Sequence, residues 1–193
     1  AHDGSWQTCV CAVPDFETMS LAYQWLRSGQ HQFRSVVVDS LMEVQKRCID
    51  AAVGSSALAQ QDWGTVLRKL EALIRSYRDL TLLESNAIRV VVFIVGSRDF
   101  DGTRRPLLQG QLHDTVPYYL DVVGYMFLDP RATDAGVSYV RSLLVAPQPG
   151  YVAKDGTGRI PGPVIELPNG QPHLEQLYAL LENNHHQPQE DLA

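Results

Sequence analysis

The stretch Arg34-Ser35-Val36-Val37-Val38-Asp39-Ser40-Leu41-Met42-Glu43 limits the fold of this chain more than any other. Three consecutive β-branched residues suit a short strand buried on both faces. The run stops on a carboxylate and a hydroxyl, and a helical pattern follows at once. Leu41, Val44, Cys48 and Ala52 fall on one helical face, and Glu43, Lys46, Arg47 and Asp50 on the other. Asp39 is therefore expected at the carboxyl end of a parallel strand, where open α/β sheets place their ligands. A carboxylate there suits Mg²⁺ bound through water and nucleotide phosphates, the layout of a Walker B strand. The same pattern arises where Asp or Ser simply caps the next helix, so both readings stand at this point.

A second apolar run, Ile88–Val95, leaves no polar face and reads as another buried strand. Between the two lie a helix over about 40–53 and a long helical pattern from Asp62 to about Leu83. Val66, Leu70, Leu73, Tyr77 and Leu80 recur along it at helical spacing, with Arg68, Lys69, Arg75 and Arg78 as a solvated face. Strand, two helices and strand imply a mainly parallel α/β sheet with right-handed crossovers, flanked by helices.

The remaining elements follow from punctuation. Thr8–Val13 alternates and reads as a strand ended by Pro14. Asp15 is a plausible N-cap for a helix over Phe16–Ser28, closed by Gly29. Arg98 to Gln109 is a polar, glycine-containing loop, and a short helix is expected over Gln111–Tyr119. Val122–Leu128 and Val137–Val145, separated by a turn-rich connection, suit an antiparallel hairpin near the C-terminal end. Pro172–Glu182 reads as a final amphipathic helix, with Leu174, Leu177, Leu180 and Leu181 inward. Residues 1–182 are expected to form a single domain, and 183–193 a polar, disordered tail containing His185-His186.

Composition narrows the function classes. A hydrophobic share of 45% over 193 residues calls for a folded core. A net charge of -6 argues against a protein that coats nucleic acid generally, while permitting a local basic loop. The run Val90–Val95 is far short of the roughly 20 apolar residues a membrane-spanning helix needs. Three cysteines, Cys9, Cys11 and Cys48, make no disulfide framework and fit a reducing compartment. A cytoplasmic location is the expectation.

Several stretches resemble one family. Val36-Val-Val-Asp-Ser-Leu41, Asp121-Val-Val-Gly-Tyr-Met126, and Pro149-Gly-Tyr-Val-Ala-Lys-Asp155 with Gly158-Arg-Ile-Pro161 resemble, in this order, stretches of the phage-type AAA/RecA-like P-loop ATPases. Those proteins are linked to DNA recombination and single-strand annealing. The resemblance runs from about residue 9 to residue 182. It implies a RecA-like core binding ATP and Mg²⁺, with Asp39 as the Walker B carboxylate and Ser40 beside it. Glu43 would orient a water, although an i,i+4 pair with Arg47 explains it as well. Val90–Val95 would be the sensor strand next to Asp39, with Ser97 or Asp99 near the γ-phosphate.

The resemblance extends to partners. The loop after Ser97 would be a mobile DNA-binding loop, where Arg98, Arg104 and Arg105 meet phosphates and Phe100 stacks on a base. A solvated loop with its charge offset by two Asp residues is the alternative. Lys154 and Arg159 would reach from one subunit of a ring or filament to the nucleotide of the next, with ordinary surface charge as the alternative.

One part of the pattern is missing. A P-loop needs Gly-x-x-x-x-Gly-Lys-Ser/Thr, and the three lysines here follow Gln45, Arg68 and Ala153. The resemblance puts that loop, with the first strand, upstream of Ala1, so an incomplete core is expected. His2-Asp3-Gly4 would be the remainder of an acidic turn. Three readings result: an ATP-hydrolysing RecA-like protein acting on DNA, inactive without its P-loop; a non-catalytic DNA-binding or recombination-partner module on the same fold; or an α/β scaffold in which Asp39 only caps a helix.

Overall fold

The computed structural model of the chain describes residues 8–54, 59–134, 136–167 and 173–183. They build a mixed α/β protein of two compact units. The first takes the described residues up to Arg98 together with Pro106–Tyr119; the second takes Asp99–Arg105 and the described residues from Leu120 onward. The expectations placed on His2-Asp3-Gly4, the Leu174 side chain, His185-His186 and the tail beyond Asn183 lie outside what is described.

The first unit contains α1 (Phe16–Arg27), β1 (Ser35–Asp39), α2 (Leu41–Val53), α3 (Gln60–Arg78), a 3-10 turn over Asp79–Leu82 and β2 (Val90–Ile94). A hairpin of β3 (Ser97–Phe100) and β4 (Thr103–Pro106) then carries the chain between the units, and α4 (Leu112–Tyr119) follows. Helix α1 starts where Asp15 accepts the Thr18 N–H at 2.7 Å, as expected from its position. Helix α3 supplies the central apolar stripe: Val66, Leu70, Leu73, Ile74 and Tyr77 are all buried, with Leu80 just beyond. Leu41, Val44 and Cys48 of α2 are buried as well, while Ala52 is exposed.

Two buried polar side chains tie the elements of this unit together. The Tyr77 hydroxyl donates to Met19 O at 2.9 Å. Buried Asn86 donates through Nδ2 to Leu26 O at 2.7 Å and accepts the Ile88 N–H at 3.0 Å, tying the end of α1 to the approach to β2. Gly29, at φ 70°, lies so close to Ser85 O that an added Cβ would stand 2.9 Å from it. Only glycine suits both the backbone angle and that approach.

β1 and β2 run parallel, with Val38 opposite Phe93 and Asp39 opposite Ile94. This is the adjacency expected from the two apolar runs. It is also the one parallel pairing of named strands among the described residues, so the mainly parallel sheet is not found there; the other sheets are antiparallel or, for β3–β4, a local hairpin. Nor is the pair buried on both faces. Val38 is buried, whereas Val37 and Ile94 are each 44% exposed on the opposite side. Thr8–Val13 forms no strand: the alternation is there, but no neighbouring strand pairs with it.

The second unit contains β5 (Val122–Val123), β6 (Tyr125–Thr133), β7 (Gly136–Leu144), β8 (Lys154–Asp155), β9 (Val164–Leu167) and α5 (His173–Asn183). β6 and β7 form an antiparallel hairpin, as the sequence predicts, but with other bounds: Asp129–Thr133, expected in the connection, extend β6 to a closure at Thr133 opposite Gly136, and Val122–Val123 pair with β8 instead. β9 adds to the far side of β7, leaving β6, which carries Pro130, as an edge strand among the described residues. Leu143, Val145, Ile165 and Leu167 make the core here, packed against Leu177 and Leu180 of α5. Gly124 makes room for it, since a Cβ there would lie 2.6 Å from the Leu143 side chain.

Candidate functional site

In the first unit, Asp39 ends β1 and its side chain is exposed. The residue after it, Ser40, occupies the N-cap of α2, and its carbonyl accepts from Glu43 N at 3.1 Å and Val44 N at 3.2 Å. Its side chain makes no capping bond, in contrast with Asp15 at α1. Asp39 lies one position before the cap, so the helix-capping alternative finds no support in either side chain. The Asp39–Ser40 peptide bond is cis.

The carboxyl ends of β1 and β2 are held together from one side. Gly96, just past β2, places its N–H 3.2 Å from Met42 Sδ in the first turn of α2. Its carbonyl accepts from Leu107 N at 2.7 Å. Buried Gln45 of α2 then clamps the next residues, accepting from Gln109 N at 2.9 Å and donating to Gln109 O at 3.2 Å. None of Met42, Gln45, Gly96 or Gln109 is singled out by the sequence. Gln45 sits beside Val44 at the margin of the apolar face, and nothing in its spacing distinguishes a buried amide from a solvated one.

Other expected groups are placed differently. Glu43 is exposed and pairs with Arg47 at 3.1 Å and Lys46 at 3.5 Å, the ion-pair role weighed against orienting a water. Ser97 opens β3 as an exposed residue. Asp99, in the second unit, accepts the Gly102 N–H at 3.0 Å and so serves the hairpin turn.

The mobile loop expected over Arg98–Gln109 is instead largely a tight hairpin. Asp101 at φ 50° and Gly102 at φ 76° form the turn, a conformation that Asp-Gly favours. Arg98 is exposed on β3. In the second unit the Arg105 guanidinium lies 5.7 Å from the centroid of the Phe100 ring. Arg104 is exposed, and its backbone is bonded on both sides: its N–H donates to Gly150 O at 2.7 Å, and its carbonyl accepts from Val152 N at 3.0 Å. Tyr151 lies between those two partners, with its ring 4.8 Å from that of Tyr125. The hairpin therefore brings Phe100, Arg104 and Arg105 into the same unit as a pair of tyrosines that sequence spacing does not connect.

The two later stretches of the resemblance pair with each other. Val122 lies opposite Asp155 and Val123 opposite Lys154, and Gly156 N donates to Asp121 O at 2.7 Å. Lys154 is thus a half-buried strand residue rather than part of a loop. Arg159 donates to Leu181 O at 3.2 Å in α5, a cation at a helix C-terminus. Asp155 organises the segment between them. Its oxygens accept from Thr157 N at 2.8 Å, from the Thr157 hydroxyl and from Ile160 N at 2.9 Å.

Among the described residues there is no cluster of three or more His, Cys, Asp or Glu side chains placed to hold a metal, and no helix is long and apolar enough to cross a membrane. No family model, no curated protein and no solved structure matches the chain.

Proposed function

We propose that the first unit is part of a RecA-like nucleotide site, in a phage-type protein that binds ATP and acts on single-stranded DNA in recombination or annealing. One observation carries the reading: Asp39 stands at the carboxyl tip of a strand whose parallel neighbour ends beside it, and the following helix leaves its carboxylate and the Ser40 hydroxyl uncommitted to capping. This is where a parallel α/β layer meets its ligand. The donor set fits magnesium, a hard cation that keeps most of its waters and needs one or two oxygen ligands from protein.

In that reading Asp39 would hold the metal through water and Ser40 would offer a second oxygen, and the ion would supply charge neutralisation for the nucleotide phosphates. The Gly96–Met42 contact and the Gln45–Gln109 clamp keep the surrounding backbone in one geometry. The chain has no Gly-Lys pair to cradle the phosphates. Its affinity for nucleotide would then depend on the metal bridge, and hydrolysis would need a cradle these residues do not provide.

Titration of the chain with a fluorescent ATP analogue, with and without Mg²⁺, tests this. Binding is expected to be weak and Mg²⁺-dependent, and to fall at least tenfold in Asp39→Asn. Equal Mg²⁺-dependent affinity in that variant, or no binding at millimolar analogue, overturns the reading.

A second reading, a non-catalytic DNA-binding module, is favoured by the Arg105–Phe100 and Tyr151–Tyr125 ring contacts. Aromatic faces beside guanidinium groups suit unstacked bases and their phosphates.

A further inference from the structure

We infer that Met42 is a reversible oxidation site, and that its sulfoxide releases the end of β2 from helix α2. The inference does not depend on what Asp39 binds. It starts from the acceptor itself: the Gly96 N–H lies 3.2 Å from Met42 Sδ rather than against an oxygen. A thioether is a weak acceptor, so this tie is weaker than the Leu107 N–H to Gly96 O bond at 2.7 Å on the other side of the same residue. The contact is also tight. A Cβ built on Gly96 would stand 2.9 Å from the same sulfur, so the thioether lies hard against the glycine backbone.

The chain has three methionines, and their settings differ. Met19 is buried in α1 at 5% exposure, and Met126 is 55% exposed on β6. Met42 lies between these extremes. It is partly exposed in the first turn of α2, within reach of a small oxidant, yet it is engaged through its sulfur.

Hydrogen peroxide supplies the chemistry. A lone pair on Met42 Sδ attacks one peroxide oxygen and the O–O bond breaks. Sulfur gives up two electrons and keeps that oxygen, and the other oxygen leaves as water. The sulfoxide sulfur, now partly positive, no longer accepts from Gly96. Its oxygen does not take over in place. Set between sulfur and amide it would need about 2.9 Å from the nitrogen for itself, and only 3.2 Å separates nitrogen from sulfur. Set on the other lone pair it points away from the amide. Either way the present contact breaks, and Gly96 loses this tie to α2 beside the Asp39–Ser40 corner. Methionine sulfoxide is reduced enzymatically, so the tie can be restored.

Amide hydrogen exchange at Gly96, read by NMR on the full chain, tests this alongside mass spectrometry of each methionine during graded peroxide treatment. Met42 is expected to oxidise while Met19 stays reduced. Gly96 exchange should rise with the Met42 sulfoxide by roughly threefold to tenfold, the loss of one weak hydrogen bond. It should return to its starting rate after treatment with methionine sulfoxide reductases. Met42→Leu, a swap that nearly conserves volume, should exchange fast at Gly96 from the outset and be indifferent to peroxide. Met126→Leu should respond like the wild type. Oxidation of Met42 only together with Met19, Gly96 exchange that stays level as the Met42 sulfoxide forms, or a peroxide response that survives in Met42→Leu overturns the inference.

Discussion

Asp155 shows how one side chain can set the pH response of a segment. Burial alone raises its pKa, but hydrogen bonds from the Thr157 hydroxyl and from the Ile160 and Thr157 N–H groups outweigh it, and the net direction is downward. A carboxylate depressed in the folded state contributes stability above its unfolded value of about 3.9. That contribution is lost as pH falls through the lower folded value. Asp155→Ala should therefore cost about 1–3 kcal/mol near neutrality, where it strands amides that now have a partner. In urea unfolding followed by circular dichroism, the gap between wild type and variant should narrow as pH falls below 4. An equal gap at pH 7 and pH 3 would show that ionisation of this carboxyl is not involved.

At the scale of elements, helix α3 is written openly in the chain. Its apolar stripe recurs at helical spacing because one face has to be buried, and each of those residues is buried. Leu70→Ala should cost about 2–5 kcal/mol, measured as a lowered urea midpoint, because the surrounding helices cannot fully close the cavity. Elements that depend on a partner are far less legible. Thr8–Val13 alternates as well as many strands do, yet alternation cannot say whether a neighbour will be there to pair with it. The two-residue strand Lys154–Asp155 exists only because Val122–Val123, distant in sequence, lies alongside. The β3–β4 hairpin does have a local signal, Asp101-Gly102, which matters more than the polar character that makes the stretch look like a loop. At the candidate site, Asp39 and its neighbouring strand can be read from two apolar runs. The Gln45–Gln109 clamp cannot, because it joins residues far apart in sequence through a backbone edge.

For the molecule as a whole, charge bounds what it can bind. With a net charge of -6, long-range attraction to nucleic acid is absent, so any binding must come from a local set of cations. Single-strand affinity should be modest and should fall steeply with salt. Replacing Arg104 and Arg105 together with Ala should weaken binding to a dT oligomer. The slope of log affinity against log salt should also flatten, by roughly 0.7 for each phosphate no longer neutralised. Fluorescence anisotropy at several salt concentrations measures both. An unchanged slope would remove these two arginines from the interface.

Pro130 has a consequence for crowded conditions. It stands on the outermost strand of the three-stranded sheet, where it has no amide hydrogen to give. A stray extended segment aligning along that border would meet a gap in the ladder and gain little by adding on. Strand addition along this rim is therefore disfavoured at that position.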